Sequence, residues 1–171
     1  MSPPPLIITA ALDAASFAWF DDLRRAHFPP ERNHLAAHLT MFHKLPGEEE
    51  ASVAEAIQGV CARTPPPPLT VRGPWSLGRG VAYRLASPEL ERVRRDLVEA
   101  FDPWLTPQDR APWRPHVTVQ NKADPGDARL LLEQLQHDFE PFEALAEGLQ
   151  VWRYLGGPWG AVATVPFTGR A

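Results

Sequence analysis

The order of the predicted elements is nearly the same in the two halves of the chain. Each half reads as a strand, a helix, a strand that contains a His-x-Thr motif and a further helix, and two more strands follow at the C-terminus. Because each element must bury its apolar face, this order predicts an α+β fold made of two lobes, a pseudo-twofold duplication. Each lobe is expected to be a small, mostly antiparallel sheet with helices on one of its faces. The uncovered faces of the two sheets would form a central cleft.

Proline and capping residues indicate where these elements begin and end. Asp13 and Ser87 are placed to cap helices, and Asp124-Pro125 opens another. The strands are predicted at about 6–12, within 34–45, 69–73, 80–86, 115–121, 143–154 and 159–168, and the helices at about 14–28, 48–63, 88–105 and 125–139.

The length and composition indicate one globular domain. Its 171 residues are 44% hydrophobic and 22% charged, which is enough apolar material for a core. The proline run 65–68 divides the chain into lobes of about 1–68 and 69–171, and exchange of strands between the lobes is compatible with this division. We expect a monomer.

Charge and cysteine content exclude several function classes. A net charge of −4 disfavours a broad coating of nucleic acid but allows a local pocket for one phosphate. The single Cys61 excludes an internal disulfide and a cysteine-based zinc cluster. No segment has the apolar length of a membrane span, and no signal sequence is visible at the N-terminus. These features predict a cytoplasmic protein without a membrane partner.

Two tetrapeptides share the pattern His, apolar, Thr, apolar: His38-Leu39-Thr40-Met41 and His116-Val117-Thr118-Val119. Side chains alternate between the two faces of a strand, so each histidine shares a face with its threonine. The apolar residues of each motif are then expected to face the core. Two such strands side by side would bring two imidazoles and two hydroxyls together in the cleft.

That set of groups suits the displacement of an oxygen at phosphorus. Histidine, whose unperturbed pKa is about 6.5, can act as base toward the attacking oxygen or as acid toward the departing one. Threonine hydroxyls can donate to the non-bridging oxygens as charge develops. A cyclic phosphate formed by neighbouring ribose hydroxyls needs no metal for this chemistry.

The paired motifs, half a chain apart, resemble the two-histidine (2H) phosphoesterase superfamily, in its 2′-5′ RNA ligase-like (LigT-like) branch. The resemblance extends to "PPERNHLAAHLTMFHKLPG", "GVAYRLASPEL", "WRPHVTVQNK" and "VWRYLGGPWG". It implies a bilobed fold with a metal-independent site in the cleft, no cofactor, and a nucleotide or an RNA end as substrate.

The resemblance also implies roles for the motif residues. His38 and His116 match the catalytic histidines, and Thr40 and Thr118 match the phosphate-binding hydroxyls. The implied activities are opening of a 2′,3′-cyclic phosphate to a 2′-phosphate, cleavage of a 2′-5′ linkage, and reversible 2′-5′ joining of RNA ends. Which activity applies, and which histidine is the acid, stays open at this point.

Other side chains are candidates for contact with the substrate through strand alternation or proximity. Arg114, Gln120 and Lys122 share the parity of His116, and Phe42 shares that of His38. Phe42 is a candidate wall for base stacking, although core packing explains it equally well. Tyr154, in the tail "VWRYLGGPWG", is a further candidate.

Three alternative interpretations stand beside the enzymatic one. Either motif histidine is explained by a structural role if its ring simply bonds to a carbonyl. His34, His38 and His43 suggest a metal site, although the strand residues after His38 argue against a helical ligand pair. The third alternative is a non-catalytic RNA- or nucleotide-binding module on the same fold.

Overall fold

The computed structural model describes residues 1–171, which form seven strands and five α-helices. The strands are β1 (Leu6–Leu12), β2 (Leu39–Leu45), β3 (Pro68–Ser76), β4 (Val81–Ala86), β5 (His116–Gln120), β6 (Phe142–Tyr154) and β7 (Trp159–Pro166). The helices are α1 (Ala14–His27), α2 (Glu50–Arg63), α3 (Pro88–Phe101), α4 (Pro107–Arg110) and α5 (Pro125–His137). Short 3₁₀ turns lie at 30–32, 47–49 and 102–104.

Three of the four predicted helix starts are confirmed by their capping hydrogen bonds, whereas α2 begins at Glu50 without a side-chain cap. The side chain of Asp13 accepts from the Ser16 amide, that of Ser87 from the Leu90 amide, and that of Asp124 from the Gly126 amide. The single turn α4 has no counterpart in the sequence prediction.

Helix α3 ends earlier than predicted. The sequence suggested that it runs to about residue 105, whereas it ends at Phe101. Pro103 explains the difference, because it has no N–H to bond to the Glu99 carbonyl and its ring would crowd that group. The chain tightens there into the 3₁₀ turn of residues 102–104.

The strands form one antiparallel sheet in the order β1-β2-β5-β4-β3-β6-β7, and an additional β1–β6 pairing closes the first six into a barrel. The predicted α+β class and antiparallel pairing are confirmed, but the prediction of two separate sheets is wrong. The reason is the 13-residue β6, which pairs with β3 through 142–145 and with β1 through 146–153. The pseudo-twofold relation and the lobe boundaries stay predictions.

The sheet and the helices share one core of 31 buried residues. Leu39 and Met41 of β2 and Val117 and Val119 of β5 all lie in it and have no exposed surface. This confirms that the apolar residues of both motifs face the core. None of the helices combines the length and apolar character needed to cross a bilayer.

Candidate active site

The two motif strands are neighbours in the sheet, and the contact between them lies at the centre of both motifs. Leu39 pairs with Val117, the only residue pair that joins β2 to β5. Because both of these side chains point into the core, the residues that flank them point to the other face.

The register around this pair brings the motif side chains together. In an antiparallel register centred on Leu39 and Val117, His38 lies opposite Thr118 and Thr40 lies opposite His116. In a regular antiparallel pair, opposite residues have Cβ atoms about 5 Å apart and diagonal residues about 7–8 Å apart. The two histidines are close enough for His116 to contribute to lowering the pKa of His38. Such a diagonal spacing would allow both imidazoles to reach one phosphate.

Both histidine rings are held in the same way. Nδ1 of His38 lies 2.8 Å from the Ala36 carbonyl oxygen, and Nδ1 of His116 lies 2.7 Å from the Arg114 carbonyl oxygen. A carbonyl can only accept, so Nδ1 carries the hydrogen in each ring and Nε2 is left for the substrate. A neutral ring therefore presents a basic Nε2, and a protonated ring presents an acidic one.

The surroundings of His38 favour its neutral form. Burial lowers the pKa of His38 to about 4, which outweighs the upward effect of the Ala36 carbonyl. The positive charge of Arg24 acts in the same direction as burial, as do the nearby rings of His116 and His43. At neutral pH His38 is thus unprotonated.

We expect the replacement Arg24→Met to raise the pKa of His38, because it removes a buried positive charge that disfavours the imidazolium. The rise should be partial, since burial is the larger cause. An NMR titration of the His38 ring proton measures it, with Arg25→Met as the matched control because Arg25 is exposed and pairs with Asp22. An unchanged or lower pKa of His38 in Arg24→Met would contradict the conclusion that the Arg24 charge lowers this pKa.

The two motif threonines have bonded carbonyls and unbonded hydroxyls. The Thr40 carbonyl accepts a hydrogen bond from Trp113 Nε1 at 3.1 Å, and the Thr118 carbonyl accepts one from Arg24 Nη1 at 3.0 Å. No group of the protein bonds to either hydroxyl. Both hydroxyls are therefore free to donate to a ligand on the cleft face.

Two buried arginines brace the point where β2 and β5 separate. Beyond their single pair the strands leave buried carbonyls that need partners. Arg94 of α3 donates to the Met41 carbonyl at 2.9 Å, and Arg24 of α1 donates to Thr118. Each arginine thus comes from one half of the chain and holds the motif strand of the other half.

A β-bulge at the last residue of each motif reverses the side-chain alternation beyond it. Between the pairs Thr9–Thr40 and Ile8–Phe42, β2 has one extra residue, Met41. Between the pairs Ala82–Thr118 and Val81–Gln120, β5 likewise has one extra residue, Val119. A bulge of this kind shifts the residue after it to the opposite face.

These bulges turn Phe42 and Gln120 into the interior. Phe42 has no exposed surface and packs edge-on against Phe101, with ring centroids 5.2 Å apart. Gln120 is also buried, and its Oε1 has no hydrogen-bond partner. The prediction that these two side chains face the cleft is therefore wrong, because it assumed uninterrupted alternation.

The remaining predicted contact residues are exposed. Lys122 lies beyond the end of β5 in the left-handed region, with φ 58°, so strand alternation does not extend to it. Tyr154 lies in a depression beside Lys44 and Pro46 and does not line the cavity at His38. Its contact with the substrate stays a prediction. Arg114 precedes β5, and contact with the substrate stays a prediction for it.

The histidines of the alternative metal site do not converge. Nδ1 of His43 lies 2.9 Å from Oδ1 of the buried Asp109, on the far side of the bulge from His38. No group of three potential ligand side chains forms anywhere in the chain. The geometry thus gives no support to a site made of His34, His38 and His43.

The sequence analysis missed the tryptophans beside the histidines. The Trp159 ring lies 4.7 Å from the His38 ring, and the Trp75 ring lies 6.3 Å from the His116 ring. They come from β7 and β3, so only the strand order brings them to the site. The Trp-rich segment "VWRYLGGPWG" was a signal for Trp159, but it does not reveal which motif the ring approaches.

The chain is similar to proteins of a known family. The family model described as the 2′-5′ RNA ligase superfamily matches residues 12–158. A comparison with curated proteins found no match.

Solved structures resemble the chain over nearly its whole length. TT0787 of Thermus thermophilus has a TM-score of 0.71 at 17% identity, and the match covers 98% of this chain and 100% of that chain. E. coli LigT complexed with 3′-AMP has a TM-score of 0.62 at 18% identity, with 97% and 99% covered. Apo E. coli LigT has a TM-score of 0.65 at 17% identity, with 97% and 98% covered. These similarities establish a common fold.

Because the superfamily match spans most of the chain, the protein belongs to the 2′-5′ RNA ligase superfamily, the LigT-like family of the 2H phosphoesterases.

Proposed function

We propose that the protein is a metal-independent phosphoesterase that opens 2′,3′-cyclic phosphates on nucleotides or RNA ends. The pairing of Leu39 with Val117 carries the proposal, because it places the two His-x-Thr motifs side by side on neighbouring strands and directs them to one face. Solved structures of E. coli LigT in complex with 3′-AMP, NADP⁺ and ATP support a nucleotide as the substrate class.

His38 is the general base in the direction of hydrolysis. Its ring is neutral at neutral pH, and its Nδ1 donates to the Ala36 carbonyl, so Nε2 has a lone pair for a water proton. The acid role then belongs to His116, whose Nε2–H faces the same phosphate from the other motif.

The reaction proceeds by a single displacement. His38 takes a proton from water, the water oxygen bonds to phosphorus, and the bond from phosphorus to the 3′-oxygen breaks. His116 gives its proton to the 3′-oxygen, which leaves a 2′-phosphate and a free 3′-hydroxyl. The Thr40 and Thr118 hydroxyls donate to the non-bridging oxygens, where charge develops. A 5′-hydroxyl in place of water yields a 2′-5′ linkage by the same displacement.

The test is turnover of 2′,3′-cyclic nucleotides by the purified protein with a chelator present. We expect 2′-phosphates as products, identified by chromatography against 2′- and 3′-phosphate standards. The same assay includes a 2′-5′ dinucleotide and an RNA pair with cyclic phosphate and 5′-hydroxyl ends, which reports cleavage and joining. Tight nucleotide binding without any product would instead indicate the non-catalytic binding module, and activity lost to the chelator would overturn the metal-independent mechanism.

A further inference from the structure

A cavity of about 510 Å³ opens directly beside His38. It lies between the loop that leads into β2 and the β6–β7 hairpin, and apolar side chains make up most of its wall. We call it the Trp159 cavity, after the wall residue that contacts the His38 ring. Its size falls in the range of about 300–1,000 Å³ that is usual for small-molecule sites.

Aromatic rings form the wall of the Trp159 cavity next to the reacting group. Trp159 lies against the His38 ring, and Trp152 lies behind it with ring centroids 5.9 Å apart. Phe17 and His34 contribute further ring surface. A planar ring can stack on such surfaces while the atoms attached to it reach His38.

The charges in the Trp159 cavity favour a neutral group over a phosphate in its interior, away from His38. No lysine or arginine lines it, and Glu147 contributes a carboxylate. An anion beside Glu147 would be repelled by that negative charge. A neutral ring with hydrogen-bonding edges meets no such cost.

The polar edge of the cavity has a defined orientation. Trp152 Nε1 donates to Thr9 Oγ1 at 2.9 Å, so the Thr9 hydroxyl must donate onward, to Gln150 Oε1 at 2.9 Å. This relay leaves the Gln150 amide NH₂ as a donor. With the Glu147 carboxylate as an acceptor, this edge of the cavity offers both a donor and an acceptor, which the edge of a nucleobase can pair with.

The other side of the cleft has the opposite charge. Arg84 lies directly opposite His116 in the β4–β5 pairing, and its guanidinium lies 4.2 Å from the centre of the Trp75 ring. Arg114 lies two residues before His116. Neither arginine forms an ion pair in the structure. We call these two residues the Arg84 flank.

We propose that the cleft orients its substrate, with the terminal nucleobase in the Trp159 cavity beside His38 and the phosphate chain along the Arg84 flank beside His116. The inference deepens the proposed function and rests on it for its kinetic tests. The preferred substrate is then an RNA end whose terminal base enters the Trp159 cavity and whose phosphate chain follows the Arg84 flank. Trp159 and Arg84 are the residues that determine this specificity.

The first test compares a 2′,3′-cyclic mononucleotide with glycerol 1,2-cyclic phosphate, which has the same reacting ring but no base. We expect Trp159→Ala to lower kcat/KM for the nucleotide by about ten- to a hundredfold, since stacking on one aromatic ring is worth about 1–3 kcal/mol. The base-free substrate should change by less than about threefold. Trp159→Phe should recover most of the loss, and Leu155→Ala, on the same hairpin but outside the cavity, is the control.

An equal loss on both substrates would overturn the cavity assignment, because Trp159 would then act only through His38. If the wild-type protein turns over neither substrate, the proposed function fails, and calorimetric binding of adenosine and guanosine tests the cavity on its own. Binding that disappears in Trp159→Ala supports the cavity, and no binding to the wild-type protein overturns it.

The second test concerns the Arg84 flank. We expect Arg84→Gln to lower kcat/KM for an oligonucleotide with a 2′,3′-cyclic end about three- to tenfold more than for the mononucleotide. The salt dependence of the oligonucleotide reaction should also become shallower, because one phosphate contact is lost. Equal effects on both substrates and an unchanged salt dependence would overturn the assignment of the chain to this side.

Discussion

The replacements His38→Ala and His116→Ala should each lower kcat for a 2′,3′-cyclic nucleotide by about 10²–10⁴-fold, the usual contribution of one positioned acid or base. In the proposed reaction each histidine performs one proton transfer, and the other motif histidine is engaged in the opposite transfer. Initial rates with saturating substrate measure the effect. His137→Ala, on the exposed end of α5, is the matched control and should leave the rate unchanged.

Because the two histidines act on one displacement, the double replacement should be much less damaging than the product of the single effects. A fully active single mutant would rule out the two-histidine mechanism. Circular dichroism of both variants tests whether loss of fold causes the lower rate. We expect both variants to stay folded, because the two rings lie on the cleft face outside the core.

The replacement Asp109→Asn should destabilise the fold by about 1–3 kcal/mol, the usual cost of leaving a buried hydrogen-bonding group without its partner. The Asp109 side chain is fully buried. It accepts hydrogen bonds from the backbone N–H of His43, from the backbone N–H of Lys44 and from Nδ1 of the His43 ring. It thereby fastens the segment between α3 and β5 to β2. An asparagine NH₂ would face at least one of these donors without an acceptor.

Urea unfolding at pH 7 measures the loss, which is large beside a typical total stability of about 5–15 kcal/mol. Asp102→Asn is the control, since Asp102 is exposed and pairs only with Arg110. A loss below about 1 kcal/mol for Asp109→Asn would show that the contact is not a significant anchor.

The same carboxylate predicts a pH dependence with a definite sign. Burial raises the pKa of Asp109, but the hydrogen bonds from His43 and Lys44 outweigh it and hold the pKa below the usual value of 3.8. A depressed folded-state pKa stabilises the protein at pH values above the unfolded pKa, and this stabilisation is lost as the pH falls through the folded pKa. The wild-type protein should therefore lose more stability below about pH 4 than the Asp109→Asn variant does.

Much of the local structure was readable from the sequence. Asp13 and Ser87 cap the predicted helices because capping depends on side chains within three residues of each other. The His-x-Thr motifs face away from the core because alternation within a strand is a property of the local backbone. The family resemblance rested on these same local patterns, and the superfamily match confirms it.

Predictions that extended alternation past the motifs were wrong for a physical reason. Phe42 and Gln120 follow bulges that form only because Ile8 and Val81 on the neighbouring strands pair with a shifted register. A bulge is a relation between two strands, and the sequence of one strand does not contain it.

The sequence by itself thus determined the seven strands, the four longer helices and the alternation within the two motifs, all of which depend on residues close together in the chain. Only the tertiary structure decided that β6 joins both halves into one sheet, that Arg24 and Arg94 brace the opposite motif, and that Trp159 lies beside His38. These contacts join residues far apart in the chain, and their formation depends on which strands pair when the whole core is buried. That choice belongs to the packing of the entire sheet, because no single segment gains enough apolar burial to make it alone.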